Sequence, residues 1–305
     1  MSRPARQQGP TGEVRAAAPA KLNLYLHVLG RRADGYHLLD SLVAFAALGD
    51  TVSVRPAGRL TVSVSGPFGA ALADEPDNLV LRAARRLAEA KAVPAGGAIE
   101  LVKRLPVSAG LGGGSSDAAA VLRAFDRLWG LGMEGAELNQ LARDLGADVP
   151  VCIAGRASFV GGIGAAVEPA PALPQAALVL ANPGVPLATK EVYAAHRGAG
   201  SEPARFREAP RDTAHLAALL AARRNDLTEP AQALVPAIGT VLEALAGKPG
   251  CLLARMSGSG PTCFGLFADA AAAERAAKAL AADHPDWWLK PTALIGDVRE
   301  LAEGA

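Results

Sequence analysis

The stretch Leu105 to Phe125, LPVSAGLGGGSSDAAAVLRAF, places four glycines (Gly110, Gly112, Gly113, Gly114) between a strand-like run, GAIELVKRLPV, and a segment with apolar residues at helical spacing: Ala118, Val121, Leu122, Phe125, Leu128 and Trp129. The fold must therefore turn a strand end directly into a helix N-terminus. The first turn of a helix has unpaired N–H groups and about half a positive charge, and glycines let an anion reach that backbone. A phosphate-binding loop follows from this. A flexible glycine linker fits poorly, because strand and helix abut the run. Three named motifs fail by letter. No lysine follows the glycines as GxxxxGK[ST] requires, the third glycine of GxGxxG falls at Ser115, and none of Ser115, Ser116, Ser257 and Ser259 sits in GxSxG. Ser115 or Ser116 caps the helix, and the same hydroxyl is placed to touch phosphate or Mg2+ as well.

The rest of the 305-residue chain supplies what such a loop needs around it. Half the residues are hydrophobic and 20% are charged, a globular balance long enough for one large domain or two ordinary ones. A net charge of +1 gives no electrostatic case for nucleic acid or an anionic membrane. No apolar run approaches the ~20 residues of a membrane span. The start, MSRPARQQGPTGEV, lacks the apolar core of a secretory signal and reads as a disordered tail. Cys152, Cys251 and Cys263 read as reduced thiols of a cytoplasmic protein, and the five histidines lack metal-site spacing.

Along the chain, PAKLNLYLHVLG alternates with period two. Leu22, Leu24, Leu26 and Val28 form an apolar face, and Lys21, Asn23, Tyr25 and His27 form a side that is either wet or lines a site. Asp34-Gly35 is a turn that leaves Tyr36 and His37 in a loop. DTVSVRPAGRLTVSVSG reads as two strands around a Pro/Gly turn. DNLVLRAARRLAEAKAV reads as an amphipathic helix capped by Asp77 or Asn78. ELNQLARDLGADVPVCIAG reads as a helix ending at Gly146, a short loop, then a strand. RASFVGGIGAAVEPA reads as a hairpin. The chain thins into small and proline residues at PAPALPQ, where a domain boundary is placed. Beyond it come a strand (AALVLANPG), helices to about Leu245, strand–glycine turn–strand (CLLARMSGSGPTCFGLFA), an alanine-rich helix and a last strand (WWLKPTALIG). The total is α+β, two sheets each covered by helices. Trp287 and Trp288 read as packing. SGSGPT reads equally as a tight hairpin or a second site turn.

Several of these stretches carry a resemblance. PVSAGLGGGSSDAAA resembles the ATP-binding motif of the GHMP kinases. PAKLNLYLHVLGRRADGYHLLDSL, LGADVPVCIAG and MSGSGPTCFGLF resemble the branch of that family acting on a cytidine diphosphate alcohol. The likeness runs from Ala18 to Phe267. It implies the GHMP kinase fold, with a ribosomal protein S5 domain 2-like half (13–170) and a ferredoxin-like plait (171–305). ATP lies along the glycine loop and a small-molecule alcohol between the halves. By the same resemblance, Asp148 matches a catalytic aspartate that takes the hydroxyl proton, and Lys21 its charge partner. Pro106, Ala109, Gly110, Leu111, Gly112, Gly113, Gly114, Ser115 and Ser116 match the ATP-binding stretch, with Lys103 near adenine or ribose. Ser116 is the one side chain put forward for Mg2+. Asn23, Tyr36, His37, Asp148, Thr189 and Tyr193 match substrate contacts, the two tyrosines sandwiching cytosine and His37 facing its edge. Asp117 stands where the family's pattern admits asparagine and receives no role.

Phosphoryl transfer asks mainly for positioning and charge stabilisation, so these residue types suit it. Judged on residues alone, Asp148 reads as a turn residue and Lys21 as a solvated lysine. The implied protein is a cytoplasmic monomer or weak homodimer with no nucleic-acid or membrane partner. Two alternatives remain in the sequence. One is another small-molecule kinase of the family, such as a homoserine kinase. The other is a nucleotide-binding regulator without catalysis.

Overall fold

The chain opens with its two longest strands, β1 (Val14–Arg31) and β2 (His37–Arg55), antiparallel across the Asp34-Gly35 turn with Arg31 opposite His37. The computed structural model describes residues 12–72, 78–198 and 200–301; the N-terminal tail read from the sequence lies almost wholly outside them. The wet side expected for β1 is absent: Lys21, Asn23, Tyr25 and His27 are 4%, 5%, 0% and 7% exposed. The reason lies in the register. Pairing with β2 shifts between Pro19 and Lys21 and again between Asn23 and Tyr25. Each shift re-aims the strand, as bulges do. Val14, Ala16 and Ala18 enter one core, Leu22, Leu24 and Tyr25 a second, and Leu26 and Val28 a third.

β3 (Leu60–Ser65) and β4 (Gly97–Val102) complete the first half's sheet. The strands flanking Pro56–Gly58 both form but do not pair with each other. β4 inserts between them, parallel to β3 and antiparallel to β2. Helix α1 (Leu79–Lys91) starts where Asn78 Oδ1 accepts the Val80 N–H at 3.0 Å; Asp77 lies outside the described residues. α2 (Gly113–Trp129) follows the glycine loop and buries Ala118, Val121, Leu122 and Phe125 fully against β1, β2 and α1. Each of the larger of these side chains contributes roughly 1.5–3 kcal/mol by burial. α3 (Gly135–Leu145) ends at Gly146.

The segment VPVCIA, expected as a strand, is helix α4 (Val149–Ala154), with Pro150 in its first turn and Gly155 left-handed at its C-cap. Proline inside the start and glycine past the end are the ordinary marks of a short helix. β5 (Ser158–Gly162) and β6 (Ala166–Pro169) form the expected hairpin. Residues 170–176 hold neither helix nor strand.

The second half runs β7 (Ala177–Asn182), α5 (Thr189–Ala195), α6 (Thr213–Ala221), α7 (Thr228–Leu234), α8 (Ala237–Ala246), β8 (Cys251–Met256), β9 (Cys263–Phe267), α9 (Ala270–Asp283) and β10 (Trp288–Ile295). β10 pairs with β7 and reaches back to β2 at Leu294–Ala46 and Ile295–Phe45, joining the halves in the order β3-β4-β2-β10-β7-β9-β8. The second core belongs to both halves, with Leu22, Leu24 and Leu42 against Leu178, Leu180 and Phe264. Trp287 stacks on His284 at 3.8 Å and Trp288 packs on the shared core. The three cysteines are free thiols.

Candidate active site

The glycine loop is held from both halves. Its crest receives the Lys21 N–H at Leu111 O (2.8 Å) and the Thr262 N–H at Ala109 O (3.2 Å). The Ser257 hydroxyl donates to Gly110 O at 3.0 Å and accepts the Asn23 N–H at 3.1 Å. SGSGPT is therefore a hairpin turn that also docks on the loop. Gly110 (φ +74°) is obligatory, because a Cβ there would lie 2.5 Å from Ser257 O. Gly112 (φ +61°) is the N-cap of α2, and a Cβ there would press on the Lys21 side chain at 3.0 Å. Neither serine caps the helix, contrary to expectation. A glycine takes that place, so the first amides of α2 keep their N–H groups for a ligand.

Above the loop lies a cavity of about 610 Å³. Lys21 reaches it from β1. Its ammonium stands 2.9 Å from Asn23 Oδ1 and 3.0 Å from Asp148 Oδ2. Asn23 is itself fixed, donating to Ser41 Oγ at 2.8 Å. Asp148 occupies the N-cap position of α4, yet its side chain makes no capping bond. It is 41% exposed, against 5% for Lys21. The pair is thus a buried cation holding a carboxylate that still faces the cavity.

The substrate-side residues divide. Thr189, at the start of α5, shares a 2.8 Å hydrogen bond with Ser259 on the cavity wall. Tyr193 also lines the cavity; burial, then the Asp148 charge, pushes its phenol well above the ordinary range. His37 packs against Tyr193 with ring centroids 5.1 Å apart. Burial, then Arg31 and His196, holds its imidazole below the ordinary histidine value, so the neutral ring faces the tyrosine at neutral pH. Tyr36 is 61% exposed and touches none of these rings.

The ATP-side residues divide too. Pro106, Ala109, Gly110, Gly112, Gly113, Gly114 and Ser115 line the cavity. Leu111 is 1% exposed, a core residue that offers only its backbone. Ser116 is 1% exposed and stays off the cavity wall, so Ser115 is the hydroxyl presented there. Lys103 borders the cavity, but its ammonium is taken by Asp50 (2.5 Å) and Asp117 (2.7 Å), all three buried. Burial disfavours the Lys103 charge, and the Asp117 and Asp50 carboxylates outweigh it, holding the ammonium above its usual value. Burial, with the Asp50 charge adding to it against the pull of Lys103, raises Asp117 far above the carboxylate range.

Two side chains were missed from the sequence. The sequence assigns Asp117 no role. Asn78 was read only as a cap, yet its Nδ2 is buried at the cavity wall without a partner among the described residues. The signal was there, since a capping asparagine uses its oxygen and leaves its two N–H donors free.

Models of the GHMP kinases N terminal domain and the GHMP kinases C terminal match residues 78–156 and 206–286. A 4-diphosphocytidyl-2-C-methyl-D-erythritol kinase from Paramagnetospirillum magneticum is 54% identical over 278 residues, 91% of this chain and 97% of that protein. The chain belongs to the GHMP kinases, is a kinase with their two-domain fold, and groups within them with the 4-diphosphocytidyl-2-C-methyl-D-erythritol kinases. A crystal structure of such a kinase is similar at a TM-score of 0.75 and 37% identity, covering 93% of this chain and 100% of that one. Homoserine kinase from Cytophaga hutchinsonii has a TM-score of 0.72 at 19% identity, over 97% of this chain and 98% of that one, a likeness of fold alone.

Proposed function

We propose that the protein transfers the γ-phosphoryl group of ATP to the 2-hydroxyl of 4-diphosphocytidyl-2-C-methyl-D-erythritol, a step of non-mevalonate isoprenoid precursor synthesis. The Lys21–Asp148 pair carries this reading: 3.0 Å apart, with the carboxylate open to a cavity that begins at the N-terminus of α2. Asp148 takes the proton of the attacking hydroxyl, help worth about 10²–10⁴-fold. Lys21, aimed by Asn23, offsets the negative charge that develops on the moving phosphoryl. The free amides of Gly113 and Gly114 receive the phosphate oxygens, and Asn78 offers its unpaired Nδ2 at the same cavity.

Mg2+ fits this donor set only modestly. Among the described residues no group of three or more His, Cys, Asp or Glu side chains gathers for a metal. The ion would rest on ATP phosphates and the Ser115 hydroxyl, which suits a cation usually held by one or two protein ligands plus phosphates, and it would supply charge neutralisation there.

Tyr193 on the cavity wall, with the His37 ring packed on it, offers one face to a flat base, and the exposed Tyr36 ring would supply the other. A small amino-alcohol substrate needs no such slot, which sets this reading above a homoserine kinase. Asp148 facing the cleft sets it above a regulator without catalysis. The same reading divides the chain at 170/171, where regular structure lapses, and places a monomer or weak homodimer in the cytoplasm. A net charge of +1 gives no electrostatic case for nucleic acid. Among the described residues no helix is long and apolar enough to cross a membrane.

The test is ADP release with Mg-ATP against the diphosphocytidyl alcohol, homoserine, mevalonate and galactose, with the phosphorylated position read by NMR. Turnover with the first alone, at the 2-hydroxyl, is expected. Turnover with another alcohol would overturn the base slot, and ATP binding without transfer to any of the four would favour the regulator.

A further inference from the structure

The Asp50–Lys103–Asp117 cluster has no part in the chemistry above, yet it places three ionisable side chains at 0–3% exposure. Buried ion pairs are weak contributors to stability compared with apolar packing, so their presence calls for a more specific role. Their positions supply one. Lys103 directly follows β4, ahead of the glycine loop, and Asp117 lies in the helix after it. The 2.7 Å bond between them closes residues 104–116 into a ring. Asp50, from β2, accepts the Lys103 ammonium through Oδ2 and the Arg104 and Leu105 N–H groups through Oδ1, at 2.5 and 2.9 Å. The ammonium lies directly under the first residue of α2, since a Cβ on Gly113 would stand 3.4 Å from Lys103 Nζ. The backbone of Lys103 is pinned as well, donating to Ser65 O at 2.8 Å and accepting from the Phe68 N–H at 3.2 Å.

We propose that Asp117 is a positioning residue for ATP: with Asp50 it clamps Lys103 beneath the glycine loop, so that 104–116 hold their anion-binding shape before the nucleotide arrives. The crest of the loop is tied to the second half through Ala109 and Gly110 and to β1 through Leu111, and the clamp fixes its base. A loop ordered in advance does not charge its ordering entropy to binding. Lys103 then acts through the loop and not through contact with adenine or ribose. An asparagine at 117 keeps an acceptor for Lys103, whereas an alanine opens the ring.

The inference rests on the glycine loop being the ATP site. The test uses the full chain and three readouts: ATP affinity by direct titration without the alcohol, KM for each substrate, and thermal melting. Asp117→Ala is expected to weaken ATP binding and raise KM for ATP by about tenfold or more, leaving KM for the alcohol within ~2-fold. Asp117→Asn is expected to restore ATP affinity to within ~3-fold of the parent, because the acceptor is kept. Should the alanine variant not fold, Asp117→Ser, too short to reach Lys103, takes its place with the same expectation. An unchanged ATP affinity in the alanine or serine variant, an equal rise in both KM values, or an asparagine variant as weak as alanine would overturn the clamp. A parent protein that binds no ATP would overturn the proposed function and this inference together.

Discussion

Lys21 and Lys103 sit on either side of the same glycine loop, 4% and 2% exposed, and they do opposite things. Lys21 is paired with a carboxylate that is 41% exposed and faces the cavity, so its charge is still available to a ligand. Lys103 is paired with two acidic side chains at 0% and 2%, so its charge is used up inside the protein. Burial of a lysine therefore says little about its role. The exposure of its partner decides between chemistry and architecture.

The comparison is sharpest in the two aspartates. Asp148→Asn should lower kcat by about 10²–10⁴-fold while the melting temperature stays near that of the parent, because an exposed carboxylate contributes little to stability. Asp50→Ala should do the reverse. Leaving the Lys103 ammonium under-compensated in the interior should cost about 3–5 kcal/mol in urea unfolding, while the folded fraction keeps most of its kcat at saturating ATP. Equal losses of kcat in both variants would break the distinction.

The cavity's base end offers a milder contrast. Tyr193→Ala should raise KM for the diphosphocytidyl alcohol about 5–150-fold, the range of one lost stacking face, with KM for ATP unmoved. Tyr36→Ala should raise it less, because that ring starts 61% exposed and must be ordered by the substrate. A larger effect at Tyr36 than at Tyr193 would mean that the outer ring carries the recognition.

How much of this was legible depended on whether the signal was local. The strand–glycine–helix unit, the α1 cap at Asn78, the α3 stop at Gly146 and the order of the second half follow from spacing and turn residues, and the structure has them. Lys21 and Asp148 stand out only through resemblance; on residues alone they read as a solvated lysine and a turn aspartate. What failed was set by tertiary contacts. The polar side of β1 alternates like a wet face, but two register shifts and the second half bury it. VPVCIA is too short for period to separate strand from helix, and the flanking Pro150 and Gly155 were the better guide. The serines after the glycines look like caps, yet Gly112 in the left-handed region takes that place. Asp117 could not be read from sequence, because its partners Lys103 and Asp50 lie 14 and 67 positions away.

The smallest effect probes the packing behind Asp148. Burial, with the Asp148 charge adding to it, pushes the Cys152 thiol on α4 up to about 12, and burial raises Cys263 as well. Burial raises the Cys251 thiol too, but this cysteine is only half-buried, on β8. Since the thiolate is the reactive form, iodoacetamide on the native protein should label Cys251 first and leave turnover intact, with Cys152 and Cys263 labelled only on unfolding. Early labelling of Cys152 would show that α4 holds Asp148 less firmly than the structure implies.

The most direct test of the account is a double-mutant cycle on kcat between Lys21→Met and Asp148→Asn. If the two side chains act as one unit, the double variant should be no slower than the slower single variant, within ~3-fold. A double variant slower by the product of the two single losses would contradict the account, since each residue would then be acting alone.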